Sequence, residues 1–202
     1  IIVWQGGMEG GNAVADALSG KATPSGKLPD TVAYDIEDYP ANDNFGNELT
    51  NLYKEDIYVG YRYFETIPGA DKKVVYPFGY GLSYTTFDKQ IENFKDNGDT
   101  VTFDVTVENT GSVAGKDVVE IYYTAPYTNG GIEKAAANLI AFEKTDSIEP
   151  GESQTKSFTI NKEDMASYDT YGNGCYVLEA GDYEISINSD SHNTIASQTV
   201  SV

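Results

Sequence analysis

The clearest pattern along the chain is alternation. Val101, Phe103, Val105 and Val107 are apolar, and Thr102, Asp104, Thr106 and Glu108 between and after them are polar. A period of two predicts a strand with one buried face. A turn at Asn109-Thr110-Gly111 then leads to a denser run, Val118-Val119-Glu120-Ile121-Tyr122-Tyr123, which predicts the next strand. Further strands are predicted at 139–143, 155–160, 176–178, 183–187 and 195–202. They are punctuated by Glu149-Pro150-Gly151-Glu152 and Glu179-Ala180-Gly181-Asp182. Asp164 to Tyr168 predicts a single helical turn. Short strands with turn signals at this spacing predict an antiparallel β-sandwich over residues 88–202. At about 115 residues that unit is long enough to fold alone.

Residues 1–87 read differently. Ile1-Ile2-Val3-Trp4 is an unbroken apolar run, predicting a strand buried on both faces, as in a parallel sheet. Glycines at 6, 7, 10 and 11 follow, then a short helix over Asn12–Ser19 with Val14, Ala17 and Leu18 on one face and Gly20 as its C-terminal stop. Residues 21–50 lack periodicity and predict a long loop laid over a surface. Tyr53 to Phe64 is rich in tyrosine, and Tyr76 to Tyr84 mixes aromatics with Gly and Pro, predicting extended, tightly packed chain. One strand and one helix cannot bury a doubly wound sheet. Residues 1–87 are therefore expected to be the distal part of a larger α/β domain. The first residue is Ile and no basic stretch precedes it, so the opening is not read as a signal peptide but as the interior of a longer chain.

Charge narrows the classes of partner. Thirteen basic and 32 acidic side chains give a net charge of −19, which disfavours nucleic acid and anionic membrane surfaces. No apolar run approaches the roughly 20 residues of a membrane helix. A single cysteine, Cys175, excludes an internal disulfide; its default reading is a buried structural thiol, compatible with a cytoplasmic setting without requiring one. A single histidine, His192, excludes a zinc site with two His ligands and is read as a surface residue in a polar turn.

Individual motifs carry modest chemistry. Gly6-Gly7-Met8-Glu9-Gly10-Gly11 has neither the Lys-Ser/Thr of a phosphate loop nor the spacing of a dinucleotide fingerprint. A tight strand-to-helix turn explains its glycines, while Glu9, at a strand end, is a candidate sugar contact. Asp96-Asn97-Gly98-Asp99 lacks the ligand pattern of a calcium loop and predicts a hairpin turn. The acidic stretch 35–56 predicts a solvated surface, with Glu55 and Asp56 as candidates for sugar hydroxyls. Arg62, between Tyr61 and Tyr63, predicts an ion pair with a carboxylate such as Glu55 and aromatic stacking on its guanidinium; direct substrate contact by Tyr61, Arg62 and Tyr63 is the competing reading.

Taken together, several segments resemble one family. Trp4 to Asp16, Pro24-Ser25-Gly26-Lys27-Leu28-Pro29, Tyr53 to Phe64 and, most specifically, Tyr76-Pro77-Phe78-Gly79-Tyr80-Gly81-Leu82-Ser83-Tyr84-Thr85-Thr86-Phe87 are similar, in order, to late segments of the α/β sandwich domain of family 3 glycoside hydrolases. Val107 to Gly111, Phe142-Glu143-Lys144, Pro150-Gly151-Glu152 and Gly181-Asp182-Tyr183 resemble the fibronectin type III-like, immunoglobulin-like domain that ends many members. The resemblance implies a retaining exo-glycosidase acting on terminal β-linked sugars without metal or organic cofactor. An Asp nucleophile from a separate barrel and a Glu acid/base would stand about 5–5.5 Å apart. No segment here resembles the barrel, and no acidic residue matches either catalytic motif, so no catalytic residue is assigned. The Tyr-rich stretch and Asp164 to Asp169 look most like members in which the barrel follows the sandwich.

The expected partners are a β-linked glycoside and the remaining α/β and barrel domains of the same enzyme. Glu9, Glu55, Asp56, Tyr61, Arg62 and Tyr63 are the substrate-adjacent candidates. The isolated chain is expected to be inactive. The alternative is a non-catalytic β-sandwich that binds carbohydrate or serves as an interaction module; residues 1–87 are the feature that such a module would not need.

Overall fold

The computed structural model describes residues 1–202. Its elements are α1 (Gly10–Leu18), β1 (Val32–Ala33), α2 (Tyr61–Thr66), β2 (Val74–Tyr76), β3 (Phe87–Asp96), β4 (Thr100–Asn109), β5 (Val118–Thr124), β6 (Asn138–Lys144), β7 (Ser153–Asn161), β8 (Ser167–Tyr168), β9 (Tyr176–Val177), β10 (Asp182–Asp190) and β11 (Asn193–Ser201). Seven strands form two antiparallel sheets, one of four in the order β11-β10-β5-β6 and one of three in the order β3-β4-β7. The pair makes a β-sandwich.

The alternation in β4 works as the sequence predicts. Val101, Phe103, Val105 and Val107 point between the sheets, where they meet Val119 and Ile121 of β5, Phe158 and Ile160 of β7, and Ile185 and Ile187 of β10 in one core of 15 buried residues. Phe103 lies opposite Phe158 in register, their rings 5.6 Å apart and near-parallel. The helical turn expected over Asp164 to Tyr168 lies earlier, as a four-residue 3₁₀ turn at Lys162–Met165 that drops Met165 into the core, while Ser167–Tyr168 is strand.

The strand set differs in two places. Phe87–Asp96 is a full strand at the edge of the three-stranded sheet, whereas 176–178 joins neither sheet; Tyr176–Val177 forms a two-residue hairpin with Ser167–Tyr168. In β3 the inward series Phe87, Lys89, Ile91 is interrupted by a lysine. It is then shifted by an irregularity between Glu92 and Lys95, where Asn93 has φ 53°, so that Phe94 packs on the core. A period of two is therefore not visible across it. Cys175 is exposed in the β8–β9 turn, not buried, because that hairpin stands outside the core.

Residues 1–86 wrap over the sandwich. Ile1–Trp4 forms no strand and is exposed; no other strand in the chain offers it hydrogen bonds. The helix starts at Gly10, near the expected start, with Gly20 (φ 78°) beyond its end. Within the expected 21–50 loop lie two 3₁₀ turns, Ile36–Asp38 and Pro40–Asn44, and β1, which pairs with β2. The tyrosine-rich stretch ends in α2, a helix built from β-prone aromatics because Gly60 reverses the chain and Phe64 buries itself against Tyr39 and Tyr63.

One side chain ties the wrap to the sandwich loops. Asn109, fully buried at the end of β4, accepts from the Thr85 hydroxyl (2.6 Å) and the Gly111 N–H (3.0 Å) and donates to the carbonyls of Val113 (2.9 Å) and Ile148 (2.8 Å). All of its amide capacity is used. Asn109→Ala removes four hydrogen bonds made from a fully buried position and should destabilise the chain by about 3 kcal/mol. Asn109→Asp, which turns two donors into acceptors facing carbonyls, should cost at least as much. Urea unfolding of the two variants checks both, and a change below about 1 kcal/mol in either would remove Asn109 as a fastening point.

Candidate functional site

The residues singled out in the sequence do not converge. Glu9 sits at the N-terminal cap position of α1, exposed, and its carboxylate accepts only from the Asn12 side-chain amide at 2.5 Å. Glu55 is half-buried, and its backbone carbonyl accepts from the Tyr58 N–H; Asp56 is exposed with φ 49°. No hydrogen bond or ion pair joins Glu9, Glu55 and Asp56 to one another. Tyr61, Arg62 and Tyr63 do lie together on α2. No group of three or more His, Cys, Asp or Glu is arranged to hold a metal ion.

Tyr61 faces the sandwich, not solvent. Its ring stacks on Phe78 at 4.7 Å and meets Tyr122 edge-on at 6.1 Å, and its hydroxyl accepts from the Leu139 N–H of β6 at 3.0 Å. At the other end of α2 the Thr66 hydroxyl accepts from the Ala136 N–H at 2.8 Å. Arg62 makes the expected aromatic contact, its guanidinium 5.8 Å from the Tyr61 ring centre, but not the expected ion pair with Glu55; its Nε is buried without a hydrogen-bond partner. Glu55 lies in the turn before α2 with its chain direction set by Gly60, so the two charges are not brought together. Tyr63 is half-buried against Phe64.

What the structure does assemble is a buried polar layer on the outer face of the four-stranded sheet. On β5, Val119 and Ile121 point into the sandwich core, so Glu120 and Tyr122 point outwards, yet they are only 3% and 1% exposed. On the paired strand β10, Ser186, Asn188 and Asp190 are buried with them, Asn188 lying opposite Glu120 in register. The Tyr122 hydroxyl donates to Glu120 Oε2 at 2.9 Å, and burial pushes the Glu120 carboxyl up to about 7. Burial also raises the Tyr122 hydroxyl above its ordinary range.

The two motifs nearest this layer are the ones that supported the family resemblance. In Gly79, φ is 82° and a Cβ would overlap the Glu120 carboxylate; at Gly81 a Cβ would stand 2.5 Å from the Gly26 carbonyl. The two segments also pair with each other, the Leu28 N–H donating to the Tyr80 carbonyl and the Gly79 N–H to the Leu28 carbonyl. Lys27 reaches past them to donate to the Ser189 carbonyl (3.2 Å) and stands 3.6 Å from Asp117. Asp117 also pairs with the buried Lys89 at 2.8 Å, and Lys89 donates to the Val118 carbonyl at 2.7 Å. Burial holds the Lys89 ammonium below its ordinary value despite Asp117.

A second clasp closes the same interface. Glu65 on α2 accepts from the Ser191 hydroxyl at 2.9 Å with one oxygen and stands 2.9 Å from His192 Nδ1 with the other. The hydrogen bond to Glu65 raises the His192 imidazole above its ordinary value. The Ser191 N–H donates to the Phe78 carbonyl at 2.8 Å. His192 is thus the half-exposed turn residue expected from the sequence, with an ion-pair role that its polar surroundings did not announce. A signal for the polar layer was present: a lone glutamate inside the apolar run 118–123, and Ser186 and Asn188 at period-two positions of β10, mark a sheet face that is buried but not greasy.

The chain resembles known proteins over nearly its whole length. Residues 1–61 match the glycosyl hydrolase family 3 C-terminal domain, and residues 117–191 match a fibronectin type III-like domain. Beta-glucosidase A of Butyrivibrio fibrisolvens is 46% identical over 96% of this chain and 25% of its own length. The crystal structure of a beta-glucosidase from Paenibacillus barengoltzii superposes with a TM-score of 0.89 at 52% identity, over 98% of this chain and 22% of that one. The beta-glucosidase of Kluyveromyces marxianus, solved in complex with glucose, gives a TM-score of 0.88 at 37% identity, over 96% of this chain and 22% of that one. The chain therefore spans a quarter or less of each of these relatives, which come from bacteria and fungi alike. It belongs to the family 3 glycoside hydrolases, as the C-terminal region in which the end of the α/β domain joins a fibronectin type III-like sandwich.

Proposed function

We propose that this chain is the non-catalytic C-terminal scaffold of a retaining β-glucosidase that removes terminal β-linked glucosyl residues. Residues 1–87 would be the distal part of its α/β domain and 88–202 its sandwich. The observation that carries this reading is the use to which the family-like motifs are put: Lys27, Tyr61, Phe78 and Gly79 are all spent on docking the wrap to the sheet. Glu9, Glu55 and Asp56 are not brought together as a carboxylate pair. Exposed apolar side chains at Ile1, Val3, Trp4, Leu18, Phe45 and Leu49 supply a surface for the remaining α/β and barrel domains.

Two experiments test the division of labour. The purified 202-residue chain should turn over no aryl β-glucoside above the blank, and measurable turnover would overturn the scaffold reading. In the full-length enzyme, Tyr61→Ala should lower stability by about 3 kcal/mol while KM stays within about twofold. A raised KM at unchanged melting temperature would assign Tyr61 to substrate contact instead.

Docking should also depend on pH with a definite sign. A carboxyl whose folded pKa lies above its unfolded value stabilises the fold while protonated. The contribution of Glu120 is complete below about 4.5 and is lost as pH rises through about 7. His192 adds a change of the same sign, complete below 6.5 and lost above its raised folded value. Asp96, Asp146 and Asp169, held below the usual carboxylate range by hydrogen bonds, act oppositely below about 3.8. Stability should therefore peak near pH 5 and decline towards pH 8. Glu120→Gln should flatten that decline by about 2 kcal/mol, read as urea midpoints across pH 5–8. An unchanged slope would show that Glu120 carries no proton into the fold.

A further inference from the structure

The exposed apolar surface of this chain is of two kinds. Around residues 1–59 it mixes aliphatic and aromatic side chains, which suits protein packing. On the sandwich, three of the exposed large side chains are tyrosines confined to one small hairpin: Tyr168, Tyr171 (95% exposed) and Tyr176 (73% exposed). The hairpin, β8–β9, pairs with no strand of either sheet. It is rooted at its base by the buried Met165 and by Leu178, which packs on the core, and everything between projects from the domain.

The projection is built, not slack. Tyr168 and Tyr176 lie directly opposite across β8 and β9, with rings 5.3 Å apart at 74°. The Tyr168 hydroxyl donates to the Gly174 carbonyl at 3.0 Å, which fixes the ring. Asp169 accepts from the Gly172 N–H (2.8 Å), the Asn173 N–H (2.7 Å) and the Asn173 amide (3.0 Å), and its own N–H donates to the Cys175 carbonyl. The turn that carries Tyr171 is thereby closed from inside.

Charge says what fits it. Between Met165 and Leu178 the sequence has one charged side chain, Asp169, and its carboxylate is engaged by the turn's own N–H groups. The hairpin is thus an uncharged aromatic island on a chain of net charge −19. An anionic ligand is repelled by the surroundings, a cationic one finds no free carboxylate at the hairpin, and an aliphatic protein face would leave the Tyr171 and Tyr176 hydroxyls without partners. A pyranose chain with every hydroxyl equatorial offers a flat C–H face for the rings and a rim of hydroxyls for the phenols.

We propose that the Tyr168–Tyr171–Tyr176 hairpin is an accessory binding site for a neutral, β-linked glucosyl chain, separate from the reaction centre and acting to hold polymeric substrate near the enzyme. The choice of β-linked glucose rests on the β-glucosidase reading; the aromatic, uncharged character of the site does not. The probe is cellohexaose, titrated into the 202-residue chain by calorimetry. Saturable binding is expected, weakened at least fivefold by Tyr171→Ala and by Tyr176→Ala singly, with melting temperatures unchanged because neither side chain is buried. Absence of saturable binding, or undiminished binding by the double variant, overturns the proposal.

Nitration of the full-length enzyme by tetranitromethane, mapped by peptide mass, supplies the second arm. Protection of Tyr171 and Tyr176 only when a sulfur-linked cellohexaose, which the glucosidase activity does not consume, is present supports the site. Protection without sugar means another domain covers the hairpin and overturns it. Hydrolysis of an aryl β-glucoside by the same enzyme separates the two readings: loss of the glucosidase reading shows as absent turnover in the wild type, whereas loss of the accessory site leaves turnover intact.

Discussion

The rest of the structure depends on the outer face of β5 and β10 being both polar and buried. A sandwich needs only its inner faces covered, and here those are covered by its own core. The outer face carries Glu120, Tyr122, Ser186, Asn188 and Asp190, all buried. Removing such groups from water is unfavourable unless each finds a partner. Glu120 accepts from Tyr122, and Asp190 from the His192 and Asn193 N–H groups, while Asn188 Oδ1 is left without a partner; residues 27–81 cover the layer and bond its edge, the Phe78 carbonyl accepting from the Ser191 N–H, Lys27 donating to the Ser189 carbonyl, and Glu65 meeting Ser191 and His192. The wrap therefore covers this face of the sandwich and is fastened to its edge. The expectation that 88–202 could stand alone accounts for its core but leaves out this covering layer.

Much of the architecture was legible from periodicity because burial in a sandwich core imposes a period of two. Strands β4, β7 and β10 were visible for that reason, and β5 as a dense apolar run buried on both faces. The exceptions are instructive. β3 was hidden because Lys89 occupies an inward position, its ammonium turned to Asp117 and the Val118 carbonyl, and because the irregularity after Glu92 shifts the frame so that Phe94 faces in. α2 was hidden because its residues favour strands individually, and tertiary packing of Tyr61 on Phe78 and of Phe64 on Tyr39 overrides that preference. Ile1–Trp4 reads as a strand because its composition suits a sheet, but a strand exists only with a neighbour, and this chain provides none.

The site was less legible than the fold, and for a different reason. Sequence reasoning selects side chains by chemical type: acidic pairs and arginine among tyrosines. Glu9, Glu55 and Asp56 satisfy that criterion and end up scattered, because nothing in their spacing constrains where a long loop carries them. Glu120, Asp117 and Lys27 look ordinary in the sequence and become unusual only when residues 27 and 79 are folded onto residue 120. The lone glutamate within 118–123, with Ser186 and Asn188 on β10, was the local clue, since an unpaired carboxylate on a sheet face is expensive unless water or a partner reaches it.

The same contacts explain why recognition of the family is easier here than recognition of chemistry. A docking interface fixes residue types by geometry at many points at once. Gly79 must be small because a carboxylate lies where its side chain would be, Gly81 because a carbonyl does, and Lys27 must be long and cationic because it spans to both Asp117 and the Ser189 carbonyl. Such constraints cluster in short runs of sequence, which is what makes a motif. The tyrosine hairpin is under no comparable constraint: its loop is closed by its own backbone and Asp169, and Tyr171 touches nothing that would fix its identity. Motif strength in this chain therefore measures how tightly a segment is packed against another. Positions free to contact a ligand are to be sought where the side chain is exposed and the backbone is held, not where the motif is strongest.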